Sequence, residues 1–161
     1  MAVTDEIVAT WRNPRRVLAR MLAAGQREDR ALVYLLVAVV VIFISLWPAL
    51  SRAAVLMPEA PLTQRMLAAF LGVLLLVPIA YPLAALSHLV SRAAGGRGTW
   101  YGARIALFWA LLAVSPLMLL RGLAAGLIGA GIQLQLIDLL VLAGFLWIWL
   151  SGLWVAEFRG T

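Results

Sequence analysis

Apolar residues along this chain gather in four long blocks, about 31–50, 66–89, 102–120 and 137–156, and arginine-bearing polar connectors separate them. Runs of this length read as membrane-crossing helices. Twenty residues at about 1.5 Å rise each cover roughly 30 Å, the thickness of a hydrocarbon core. The first block is rich in Val37, Val39, Val40, Val41 and Ile42, poor helix formers in water. In lipid that weakness matters little, because the backbone must satisfy its own hydrogen bonds. The predicted fold is therefore all-α: a polytopic membrane protein with four transmembrane helices.

Residues 1–30 follow a different pattern. Thr4 is placed to cap a short helix with Asp5 and Glu6 in its first turn, where acids suit the helix dipole. Asn13-Pro14 restarts a helix, since Asn caps well and Pro suits the first helical position. Along that second helix Val17, Leu18, Met21 and Leu22 share one face, Arg15, Arg16 and Arg20 flank it, and Gly25 ends it. From Arg12 to Arg27 there are five arginines and no acid. This reads as an amphipathic helix on the cytoplasmic leaflet, drawn to anionic lipid by about 1 kcal/mol per arginine. Packing on the protein's own loops is a compatible alternative. Four acids and the length ahead of the first block argue against a secretory signal peptide.

The connectors carry further expectations. Trp47-Pro48 is read as the end of the first span, followed by an irregular loop with Pro58 and Pro61. Pro78 and Pro82 lie inside the second span, near one face, and are read as a static kink that improves packing. His88, the sole histidine, falls at that span's end and is read as a wet, hydrogen-bonded group at the interface. Gly95, Gly96 and Gly98 permit a tight turn, Thr99 caps the third helix, Trp100 and Tyr101 form an aromatic interfacial anchor, and Arg104 snorkels outward. Gly122 and Gly126 make a small-xxx-small pattern for close helix packing. An apolar loop or half-helix over 121–136 competes with that reading. Asp138 either faces headgroup water or pairs with Arg121.

Composition sharpens the class without changing it. Hydrophobic residues make up 65% of the 161, mean hydropathy is +1.01 and 12% are charged, too little polar surface for a soluble domain of this length. All 13 basic residues are arginine, and against seven acids the net charge is +6. In such a chain the excess sets topology and binds anionic phospholipid; nucleic acid is not the expected partner. With four spans both termini share a side. That side holds ten arginines, Arg92, Arg97 and Arg104 of the central connector among them, against Arg52, Arg65 and Arg121 on the other. The positive-inside rule therefore predicts cytoplasmic termini in a bacterial inner membrane, with 1–30 and 157–161 as cytoplasmic segments.

Candidate chemistry is sparse. There is no cysteine, one histidine and seven dispersed acids, so neither a thiolate, a cysteine-ligated metal nor a histidine–carboxylate metal site is expected, and no cofactor. The GGRG run follows no strand and lacks the dinucleotide spacing. Few polar groups lie within the spans, which disfavours a transporter or channel built as an oligomer.

The segment NPRRVLARML, the charged collar of residues 27–30, and HLVSRAAGGRGTWYGARIALFWALLAVSPLML together resemble bacterial members of the Yip-domain family. These are small multispanning proteins related to the eukaryotic Rab-interacting Yip proteins. The residues that carry the resemblance are Asn13-Pro14, Gly95-Gly96, Gly98-Thr99 and Pro116. That family usually has five spans where four are legible here. The resemblance implies a non-enzymatic membrane protein. The expected function is a non-catalytic scaffold or accessory subunit, associating with a membrane-protein partner or with itself.

Overall fold

In the computed structural model, which describes residues 3–158, seven helices follow one another: α1 (Val3–Arg12), α2 (Pro14–Ala23), α3 (Glu28–Leu56), α4 (Leu62–Leu74), α5 (Leu76–Ala93), α6 (Trp100–Leu127) and α7 (Ile132–Phe158). No strand occurs among the described residues. Four helical stretches are long and apolar enough to cross a membrane: α3, α4 with α5, α6 and α7. The protein is an all-α, multi-pass membrane protein.

Every span is longer than its apolar block. Trp47-Pro48 does not end α3, which continues to Leu56 with Pro48 inside it. A proline costs a helix one hydrogen bond, and in a membrane segment packed neighbours offset that loss. Here the neighbour is α6, whose Gly126 lies against Pro48. The second span, expected as one kinked helix over 66–89, is two helices meeting at Leu75. The break lies just ahead of Pro78, whose ring excludes the carbonyl four residues back. Pro78 thus occupies the first turn of α5, and only Pro82 is interior. No loop spans 121–136: α6 runs on to Leu127 and the connector to α7 is four residues long.

The closest seam joins α3 to α6. Ala31, Leu35, Ala38, Ile42 and Ser45 alternate steps of four and three along α3, forming one buried stripe. Facing it, α6 is buried almost continuously from Tyr101 to Ser115, with alanines at 103, 106, 110 and 113. Lipid tails are as apolar as leucine, so no hydrophobic force draws such helices together. Close van der Waals contact does, and small residues allow it. Gly122 and Gly126 extend the seam: a Cβ on Gly122 would strike the backbone of Ser45, and one on Gly126 would strike Pro48. Beyond them Arg52 Nη1 donates to the carbonyls of Gly126 and Leu127, at 3.2 and 3.1 Å. A cation there satisfies the end of α6 and its negative dipole. Across the same end Arg121 pairs with Asp138.

The N-terminal helices pack on the bundle by their apolar faces and leave their polar faces exposed. The described part of α1 already includes Thr4, so that residue does not act as its cap, whereas Asn13 Oδ1 caps α2 by accepting from the Arg16 amide at 3.1 Å. Trp11 reaches the midpoints of two long helices. Its Nε1 donates to the Ala113 carbonyl at 3.0 Å, and its ring lies against Gly144 of α7. Ala113 is three residues ahead of Pro116, in the turn where that proline removes a donor. One turn earlier Thr10, fully buried, accepts from Trp109 Nε1 at 2.9 Å and donates to the Glu6 carbonyl. From there α2 returns along α7, with Leu18 against Gly152. The apolar face formed by Val17, Leu18 and Met21 is therefore buried in the protein and is not offered to lipid.

Candidate functional site

One end of the bundle brings together the helix ends and the glycine loop that the sequence separates. The C-terminal turns of α5 carry His88 and those of α7 carry Glu157. Nδ1 of the imidazole lies 2.6 Å from Oε1 of the carboxylate, and both residues are 1% exposed. The Trp100 ring sits 4.4 Å from His88, centroid to centroid, and shields it. The wet histidine expected at an interface is thus a buried one. Glu157, assigned from the sequence to a cytoplasmic tail, is enclosed in α7, and residues 159–161 of that tail lie outside the described residues.

The loop over 94–99 is folded around this pair. Gly95 takes a left-handed φ of +92°. Its amide donates to Arg92 O at 3.0 Å, and that of Gly96 to Ser91 O at 2.9 Å, the reciprocal pattern that closes a helix C-terminus. The next amide, that of Arg97, donates to the Glu157 carbonyl at 2.8 Å. Gly98 then crosses α7 so closely that a Cβ would collide with the Ala156 carbonyl and lie 2.8 Å from Glu157 Oε2. That oxygen is enclosed without a hydrogen-bond partner among the described residues. The GGRG run therefore serves both as a turn and as a strap over the end of α7. The hydrogen-bonded pair and the strap over it lock α5, the loop and α7 together. Ser87, the nearest hydroxyl along α5, donates to the Ala84 carbonyl at 2.8 Å. No group of three metal-ligating side chains exists among the described residues.

Beside the strap, between α2 and the ends of α6 and α7, lies a cavity of about 780 Å³. Arg15, Arg16 and Leu22 line it from α2, Thr99 and Tyr101 from the start of α6, and Ala156 from α7. Tyr101 is therefore no interfacial anchor. It is 3% exposed, and its hydroxyl has no partner among the described residues. Trp100, its neighbour, is half exposed as expected of an interfacial ring.

The other arginines disperse. Arg20 pairs with Glu6 across α1 and α2 at 2.8 Å, and Arg104 pairs with Glu28 of α3. Arg12, Arg92 and Arg97 are exposed. Gly122 and Gly126 are remote from this end, on the α3 seam. Sequence reasoning passed over Glu157 and Thr10. The signal for the first was an acid and a histidine at the ends of two apolar runs, where ionisable side chains seek one another. Thr10 carried no such signal. Comparison with known proteins returned no match, whether to a family model, a curated protein or a solved structure.

Proposed function

We propose that the chain is a non-catalytic scaffold or accessory subunit of a larger complex in a bacterial inner membrane, with both termini cytoplasmic. The observation that carries this reading is the uneven packing of the spans. Of the most apolar stretch of α6, 61% is buried within the chain, against 11% for the α4–α5 limb. That limb exposes Leu67, Phe70, Leu71, Leu74 and Ile79 along α4 and the break, and a helix pair held so lightly is free to seat against another membrane protein. The arginine asymmetry supports the orientation. The resemblance to bacterial Yip-domain proteins, read in the loop that straps α7, is consistent with a structural role.

A photo-reactive amino acid placed at Leu71 or Leu86 tests the proposal in the native membrane. Cross-linking to one defined membrane protein, in amounts that follow the chain's own abundance, is expected. A chain that cross-links from these positions to lipid alone, and purifies as a solitary oligomer with a hydrated centre, is a channel or an independent protein instead.

A further inference from the structure

We infer that the cavity between α2 and the ends of α6 and α7 is a binding site for the phosphate headgroup of an anionic phospholipid. The inference does not depend on the accessory role, because it concerns a different face of the molecule.

Three independent features meet there. First, Arg15 and Arg16 line the cavity, are exposed, and make no ion pair among the described residues. They lie between Trp11, which touches Gly144, and Leu18, which touches Gly152, and share the cavity wall with Val155 and Ala156 of α7. Charge in such a place demands an anion or water, and cationic side chains beside membrane spans pair wherever they can. Second, the cavity receives the start of α6, a helix of 28 residues, at Thr99 and Tyr101. Thr99 Oγ1 caps the Gly102 amide at 3.0 Å, which leaves the earlier amides of the first turn to an outside acceptor. Third, Tyr101 lines the same cavity, and its enclosed hydroxyl has no partner among the described residues. A buried phenol without a partner is an uncommon state that calls for an acceptor.

Forked guanidinium donors, a phenol hydroxyl and helix-start amides are together the donor set that a tetrahedral oxyanion takes. The rest of the wall distinguishes a lipid from a soluble phosphate. Leu22, Ala19 and Val155 supply carbon surface, and the volume falls within the range of about 300–1,000 Å³ typical of small-molecule sites, far above the needs of phosphate alone. Glycerol and the first methylenes of acyl chains fit that surface.

The test uses the full chain in a neutral detergent, titrated with dihexanoyl phosphatidylglycerol and followed by tryptophan fluorescence and by Tm. Saturable binding is expected, since a ligand of the native state raises Tm with concentration. Replacing both cavity arginines, Arg15→Gln with Arg16→Gln, is expected to weaken it by about tenfold or more. Tyr101→Phe is expected to weaken it several-fold while leaving the Tm of ligand-free protein unchanged, because only an unpartnered hydroxyl is lost. The same charge change made at the far end of the bundle, Arg52→Gln with Arg65→Gln, should leave affinity within about twofold, for distant charges act only through a screened field. Equal weakening by the two double variants would replace the site with diffuse surface attraction and overturn the proposal. So would displacement of the lipid by glycerol 3-phosphate or inorganic phosphate at matching concentrations, which would make this a soluble-phosphate site. Absence of saturation would overturn it outright.

Discussion

An imidazole and a carboxylate enclosed together constrain one another: each is tolerable in an apolar setting only while the other supplies its hydrogen bond or its counter-charge. His88 and Glu157 are in this position, and the strap formed by Gly96 to Gly98 leaves little space for water to replace either. Removing one partner strands the other. Glu157→Ala should therefore cost roughly 3 kcal/mol or more, the usual penalty for breaking a buried pair. The double variant, with His88→Ala added, should be less destabilised than the sum of the two singles. Thermal unfolding of the four proteins in lipid discs measures this. Strictly additive losses would mean that the two side chains do not stabilise one another. The pair was not legible in the sequence because its members stand 69 residues apart, at the ends of different spans. Only the return of α7 alongside α5, parallel to it and antiparallel to α6, brings them together.

At the scale of the element, the N-terminal helices form a hairpin wedged into the bundle; two hydrogen bonds to α6 hold it there and an ion pair closes the hairpin itself. The Trp11 indole bonds to the Ala113 carbonyl, Thr10 accepts from Trp109, and Glu6 pairs with Arg20 across the hairpin. The amphipathic period of α2 was visible in the sequence, along with its Asn-Pro start. A period shows that a face is apolar without showing whether lipid or protein covers it. Gly144 and Gly152 of α7, twelve and twenty residues into that helix, decide the matter by leaving room for Trp11 and Leu18. Trp11→Phe should lower stability by about 1 kcal/mol, one hydrogen bond, and deletion of 3–23 should lower it far more. A hairpin resting on headgroups would tolerate both changes, so an unaltered Tm in neutral discs would refute the wedge.

For the whole molecule, orientation in the membrane is the property most open to direct measurement. The chain has no cysteine, so a single introduced one reports its position without background. Met57→Cys sits between α3 and α4, and Arg97→Cys on the strap at the other end of the bundle. With cytoplasmic termini, an impermeant maleimide added outside spheroplasts should label residue 57 and spare residue 97, which should react only after lysis. The reverse pattern would invert the topology, and labelling of both from outside would break it.

Composition and the lengths of the apolar runs were enough to determine a helical multi-pass protein of four spans, because in lipid the backbone has few other ways to satisfy its hydrogen bonds. The cap at Asn13 was also legible, since it depends on neighbours within one turn. Tertiary structure decided what local pattern leaves open. Pro48 stays within a helix with α6 packed against it. His88 is dry because α7 returns beside it with a carboxylate at the matching height. In each case the deciding atom belongs to a residue far away in the chain, so burial and partnership at these positions came from the packing of helices rather than from the order of residues within any one of them.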